Sequence, residues 1–152
     1  MVTKRLFVFG THIGYSISPA ICGAALRAMG LDWDYSIWDM PLGDLPAAVT
    51  YLRREECLGA NVTIPHKEAI VRWLDDLSET ARLFQAANTV VKRGDRLAGE
   101  NTDGIGFMQA LADAGLDPRG ANIVILGAGG AARAVAFTLS DAGAGSITLV
   151  NR

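Results

Sequence analysis

Short apolar runs alternate with amphipathic stretches from one end of the chain to the other. Leu6-Phe7-Val8-Phe9 predicts a buried strand over Arg5–Gly10, followed by a loop over Thr11–Ile17. Ser18 is placed to cap a helix, Pro19 suits its first turn, Ala20–Met29 continues it and Gly30 ends it. Tyr35–Met40 alternates as a second strand, and Leu45–Arg54 is amphipathic and helical. Gly59–Val62 reads as a third strand, entering a loop that carries Thr63, Pro65 and Lys67. Helices are expected over Glu68–Leu74 and from about Glu79. Asn88–Arg93 and Arg96–Gly99 form strands joined at Gly94-Asp95, a hairpin turn signal. Gly104–Ala114 is a helix closed by Gly115, and Leu116–Gly120 is a connector. Asn122–Leu126 is an apolar strand, Gly130–Ala142 an Ala-rich helix, and Ser146–Val150 a last strand.

Strand and helix alternate twice, with a small hairpin between the two series. That order implies an α/β protein with a mixed, mostly parallel sheet. No repeat or low-complexity tract interrupts it.

The chain has 152 residues, 50% of them hydrophobic, and a net charge of −2. Lys4-Arg5 and Arg53-Arg54 are only pairs, so no basic face for nucleic acid is visible. No run is long and apolar enough to span a bilayer, and the N-terminal apolar stretch is too short for a signal peptide. Cys22 and Cys57, lacking metal-ligand spacing, read as free thiols of a reducing compartment. A cytoplasmic location is the expectation. His12 and His66, with no ligand set beside them, point to no metal site.

Gly127-Ala128-Gly129-Gly130-Ala131-Ala132 follows a strand and opens a helix. Gly127 permits the tight turn, Gly129 lets backbone approach a pyrophosphate, and the small Ala132 allows helix to pack on strand. Backbone N–H groups at the helix start then face the phosphates. The next strand ends in Asn151-Arg152, where an NAD site usually has a carboxylate. A guanidinium there pairs with a 2′-phosphate, which favours NADP. The expected division is therefore a first domain over 1–104 and the start of a Rossmann-type nucleotide domain over 105–152. Only one strand–helix–strand unit fits after Gly120, so a truncated second domain is expected, with little or no turnover by these residues alone.

Lys67 closes Asn61-Val62-Thr63-Ile64-Pro65-His66-Lys67, and Asp103 lies in Asn101-Thr102-Asp103-Gly104. An amine, a carboxylate and a dinucleotide cradle together suggest oxidation of an alcohol by hydride loss. Lys67 either takes the proton as a neutral amine or stays charged and stabilises the developing alkoxide.

With Ser16-Ile17-Ser18-Pro19, Asn88-Thr89, Gly106-Phe107 and the segments above in order, the chain resembles the N-terminal part of a shikimate dehydrogenase. The resemblance implies NADP-dependent interconversion of shikimate and 3-dehydroshikimate, the route to chorismate and the aromatic amino acids, with residues 1–104 as the substrate-binding, catalytic domain. It implies Lys67 as proton acceptor beside Asp103, Ser16 and Ser18 on the substrate carboxylate, and Thr63 and Asn88 on the ring hydroxyls. It also implies Glu79, Gly127–Ala131, Asn151 and Arg152 on the cofactor. The family usually has His-Ser at Tyr15-Ser16, His-Asn at Cys22-Gly23 and Gly-Ala-Val at Gln85-Ala86-Ala87. The first two changes border the carboxylate end of the substrate, which leaves room for a quinate dehydrogenase using NAD. A reading from another class is a non-catalytic module that binds a small acid or a nucleotide. The Ala20–Met29 helix offers a face for a homodimer.

Overall fold

A computed structural model describes residues 3–152 of the chain. Strands β1 (Arg5–Gly10), β2 (Asp34–Asp39), β3 (Cys57–Val62), β4 (Asp76–Leu77), β5 (Thr89–Arg93) and β6 (Arg96–Glu100) form one sheet in the order β2-β1-β3-β5-β6-β4. β2, β1 and β3 run parallel, and the β5–β6 hairpin joins β3 antiparallel. Strands β7 (Asn122–Leu126) and β8 (Ser146–Val150) form a second, parallel pair.

Helices α1 (Ser18–Ala28) and α2 (Leu45–Leu52) cross between the parallel strands, and α3 (His66–Ala69) and α4 (Glu79–Phe84) follow β3 and β4. Helix α5 (Asp103–Asp113) leads from the first sheet towards the second, and α6 (Gly130–Asp141) links β7 to β8. α5 lies so close to α6 that a side chain at Gly104 would strike the Thr138 hydroxyl.

The core fills the space between α2 and the large sheet. Phe9, Leu45, Leu52, Ile70 and Leu97 are fully buried there, each side chain worth about 1.5–3 kcal/mol of transfer free energy. Phe7, Phe9, Trp38 and Tyr51 add edge-to-face aromatic contacts with centroids 5.1–6.0 Å apart.

Several local expectations change. Ser18 does not cap α1. It lies inside the helix, and its N–H donates to the Ser16 hydroxyl at 3.2 Å. A serine two residues upstream supplies the acceptor that Ser18 was expected to give. The helix expected over Glu68–Leu74 is instead the single turn α3 followed by a 3-10 turn over Ile70–Trp73. Ile70 must reach the core within that short span, and the tighter winding places it there fully buried. β4 has only two residues, too few to show a period, yet it pairs with β6. β3 starts two residues earlier than expected, at Cys57. In β7, Val124 and Leu126 are 64% and 82% exposed, because among the described residues α6 covers only one face of the pair.

Candidate active site

The sheet topology brings four segments to one edge. β1, β3 and β6 all end there, and β5 begins there, because β5 runs antiparallel to both β3 and β6. Ser16 and Ser18 follow β1, Thr63 and Lys67 follow β3, Asn88 precedes β5, and Asp103 follows β6. The carboxyl ends of parallel strands are where α/β sheets usually bind ligands.

Lys67 Nζ donates to Asp103 Oδ2 at 2.6 Å, and each side chain is one-fifth exposed. Both residues are held from behind. The Ala87 N–H donates to the Lys67 carbonyl at 2.8 Å. Buried Asn101 donates to the Ala86 carbonyl at 2.9 Å and accepts the Asp103 N–H at 3.0 Å. Asn88 Nδ2 donates to Asp103 Oδ1 at 2.8 Å, so the two carboxylate oxygens face different donors. The Asn88 side-chain carbonyl oxygen accepts the Thr102 N–H at 3.1 Å.

His66 is fully buried under this loop. Its Nε2 lies 3.2 Å from the Met40 carbonyl oxygen, and Nδ1 has no partner. His66 thus anchors the loop from below while Lys67 projects from it. His12 is exposed and uses its backbone N–H, with that of Ile13, to bind the Asp39 carboxylate at 2.8 and 2.9 Å. That contact fixes the loop after β1. Among the described residues no cluster of His, Cys, Asp and Glu is suited to a metal, and no helix is long and apolar enough to cross a membrane.

The glycine turn packs directly on the Lys67 segment. A Cβ on Gly130 would come 2.9 Å from Ala86 Cβ and 3.5 Å from Lys67 Cβ. Gly127 has φ +113°, a conformation that favours glycine, and its N–H donates to the Val150 carbonyl at 2.7 Å. That bond sets Asn151 and Arg152, both exposed, immediately beyond the turn. Helix α6 has no side-chain cap and no acidic residue in its own first turn. A cavity of about 440 Å³ lies between the turn and the Thr63–Glu68 segment. Space above Gly129 is open, the nearest atom being Glu68 Oε1 at 3.9 Å from a would-be Cβ. Free N–H groups, open backbone and a matching cavity suit a dinucleotide pyrophosphate.

Residues 8–90 match the family described as the shikimate dehydrogenase substrate binding domain. The chain belongs to that family. It is 48% identical over 149 residues to the NADP(+) shikimate dehydrogenase of Symbiobacterium thermophilum, covering 98% of this chain and 51% of the relative. It is 48% identical over 150 residues to that of Moorella thermoacetica, covering 99% of this chain and 51% of the relative. Among solved structures, shikimate 5-dehydrogenase from Thermus thermophilus in complex with NADP(H) and shikimate superposes with a TM-score of 0.90 at 43% identity. That match covers 99% of this chain and 56% of the Thermus chain. The Listeria monocytogenes enzyme in complex with shikimate and NAD gives a TM-score of 0.87 at 37% identity, covering 99% of this chain and 52% of that chain. The chain spans about half the length of the curated relatives it matches.

The other residues singled out in the sequence fall into three places. Ser16 and Ser18 share a hydrogen bond of 3.1 Å between their hydroxyls, at the start of α1. Thr63 lines the cavity with Lys67 and the glycine turn, while its backbone N–H donates to the Phe9 carbonyl at 2.8 Å. Glu79 lies apart from the turn, in a second cavity of about 660 Å³ with Phe84, Phe137 and Asp141.

Three polar residues were not singled out. Tyr35 donates its hydroxyl to Asn61 Oδ1 at 2.7 Å, Asn61 Nδ2 donates to the Thr89 hydroxyl at 3.3 Å, and Thr89 donates to Asn88 Oδ1 at 3.1 Å. This chain of bonds links Tyr35 to Asp103 through Asn88. Burial holds the Tyr35 hydroxyl far above its ordinary pKa, and Cys22 adds to the rise. It is therefore a neutral donor throughout the working range. Asn61 opens the Asn61–Lys67 segment, and that position was the available signal.

Proposed function

We propose that residues 1–104 form the substrate-binding domain of an NADP-dependent shikimate dehydrogenase and residues 105–152 the first part of its nucleotide domain. The supporting observation is the Lys67–Asp103 pair at 2.6 Å, with Lys67 lining the same cavity as the glycine turn. In this reading Lys67 takes the proton from the reacting hydroxyl. Asp103 holds the Lys67 amine in place and accepts from a neighbouring hydroxyl. Thr63 and Asn88 orient the ring hydroxyls, and such polar partners reject analogues that leave them unpaired. Ser16 and Ser18, already hydrogen-bonded to each other, turn towards the substrate carboxylate at the start of α1. Gly127–Ala131 bind the pyrophosphate through backbone N–H groups, and Asn151 and Arg152 take the 2′-phosphate. Glu79 keeps its cofactor assignment on the family resemblance alone. NADP, when bound, supplies the hydride acceptor.

The naming of the relatives as NADP(+) shikimate dehydrogenases and the Thermus complex with NADP(H) and shikimate support this choice of substrate and cofactor. The partners are two small molecules, and the free thiols Cys22 and Cys57 fit a reducing, cytoplasmic setting. The test is a spectrophotometric assay of the full-length protein with shikimate or quinate, each against NADP and NAD. Shikimate with NADP is expected to give the highest kcat/KM. Faster turnover of quinate with NAD would replace the proposal with the quinate reading. No turnover of either acid, with binding retained, would favour a non-catalytic module.

A further inference from the structure

Glu68 follows Lys67 on α3, and its carboxylate reaches across to the other side of the cavity. Glu68 Oε2 lies 3.0 Å from Arg133 Nη2, and both side chains are about two-fifths exposed. Arg133 is the fourth residue of α6, and its N–H donates to the Gly129 carbonyl at 3.0 Å in the first turn. Glu68 also borders the turn itself, with Oε1 3.9 Å from a Cβ built on Gly129 and Cγ 3.6 Å from one on Gly130.

A carboxylate therefore stands beside the helix end that the proposed function gives to the cofactor phosphates. The helix start favours an anion, and α6 supplies none from its own first turn. Glu68 provides that charge from a different element. Two anions at one helix end repel each other, and at a few ångströms in a half-exposed site the repulsion is large enough to change affinity. Arg133 is the cation that offsets it. As an isolated surface ion pair the contact would add little to stability. Its position gives it a different use.

We infer that Glu68 and Arg133 set the affinity of the glycine turn for anionic dinucleotide phosphate. Glu68 opposes binding. Arg133 is a positioning residue that offsets that opposition by neutralising Glu68 and drawing its carboxylate towards itself. The inference rests on the cofactor assignment above and adds two residues to it. Because Glu68 adjoins Lys67, the same pair ties the charge state of the cofactor site to the segment that carries the amine.

The test is calorimetric titration of NADP into the full-length protein and three variants, Glu68→Gln, Arg133→Gln and the double variant. Glu68→Gln is expected to lower the Kd for NADP about threefold to tenfold, and Arg133→Gln to raise it by a similar factor. In the double variant the affinity should return to the wild-type value or better, because Arg133 has nothing left to neutralise. Raising the salt concentration should shrink the differences of both single variants from wild type. If the pair only ties the two sides together, both single variants weaken binding alike, and the inference is overturned. A double variant as weak as Arg133→Gln alone would show that Arg133 meets the phosphate directly, which also overturns it. Wild-type protein that does not bind NADP would remove the proposed function and this inference together, an outcome distinct from the other two.

Discussion

Replacing Lys67 by alanine is the most direct perturbation of the proposed chemistry. Among the described residues, the variant removes the only side-chain amine that meets Asp103, at 2.6 Å. Loss of a positioned general base costs about 10²–10⁴ in rate, or roughly 3–5.5 kcal/mol at about 1.36 kcal/mol per decade. Folding should suffer less. Asp103 keeps its bond from Asn88 at 2.8 Å, so the remaining cost is that of a carboxylate with one donor fewer, about 1–3 kcal/mol. The two scales separate cleanly. Steady-state kinetics of the full-length variant should show kcat reduced by at least about a hundredfold. The KM for NADP should stay within about threefold, since Lys67 is assigned no phosphate contact. A urea titration should show a folded protein with a modestly lower midpoint.

Lys67→Arg then decides between the two roles left open for the amine. A guanidinium keeps the positive charge but does not release a proton near neutrality. If Lys67 is the proton acceptor, arginine is as poor as alanine. If its charge stabilises the alkoxide, arginine retains much of the rate. Retention of more than about a tenth of wild-type kcat by Lys67→Ala would refute both roles.

Gly130→Val should weaken NADP binding by about tenfold or more, because its Cβ would meet Ala86 Cβ at 2.9 Å and force the turn away from the segment that follows α4. Fluorescence titration checks this, and an affinity within about twofold of wild type would show that the close approach is not needed. Arg152→Asp should move preference from NADP towards NAD by roughly tenfold to a hundredfold in kcat/KM, the worth of a lost charge-assisted contact. An unchanged ratio would remove Arg152 from the 2′-phosphate site. Asp75 is held down to about 2, first by its hydrogen bonds from Arg53 at 2.8 and 3.1 Å and then by the Leu97 N–H at 2.7 Å. Its folded pKa is below the ordinary 3.8, so its stabilisation is present above that value and lost as pH falls towards 2. Asp75→Asn should flatten the acid limb of melting temperature against pH in that window, and a limb of unchanged slope would count against the assignment.

The elements legible in the sequence were those whose signal is local. The four apolar residues of β1, the hairpin at Gly94-Asp95 and the strand–turn–helix around Gly127–Ala132 each carry their own pattern. The elements that were missed depend on distant partners. β4 exists because β6 offers it a ladder, and two residues cannot show alternation. His66 is buried because Met40 and Thr11 close over it, 26 and 55 positions away. Ser18 looked like a cap because the residue type favours one, but the loop geometry gave the acceptor role to Ser16. At the site, the glycine-rich and lysine-bearing segments were legible as motifs. Their contact was not, since it needs the β3–β5 register and the packing of Gly130 on Ala86.

Asp103 also shows why a motif and a working site differ. A carboxylate offers about four acceptor positions. One oxygen is taken by Asn88 and the other by Lys67, and the backbone of Asp103 is fixed by Asn101. Rotation of the carboxylate would break both bonds, so its spare lone pairs point in set directions. Such a group is suited to hold an amine and accept one further hydroxyl. It is poorly suited to swing in and carry a proton away. The division of labour proposed for the pair thus follows from Asn88, a residue whose importance lies in what it immobilises. Tyr35, Asn61 and Thr89 extend that immobilisation along the strand ends. On the proposed function, precision at the reacting hydroxyl is a property of the sheet edge as a whole, set by the hairpin that turns β6 back beside β5 and brings Asp103 within 2.6 Å of Lys67.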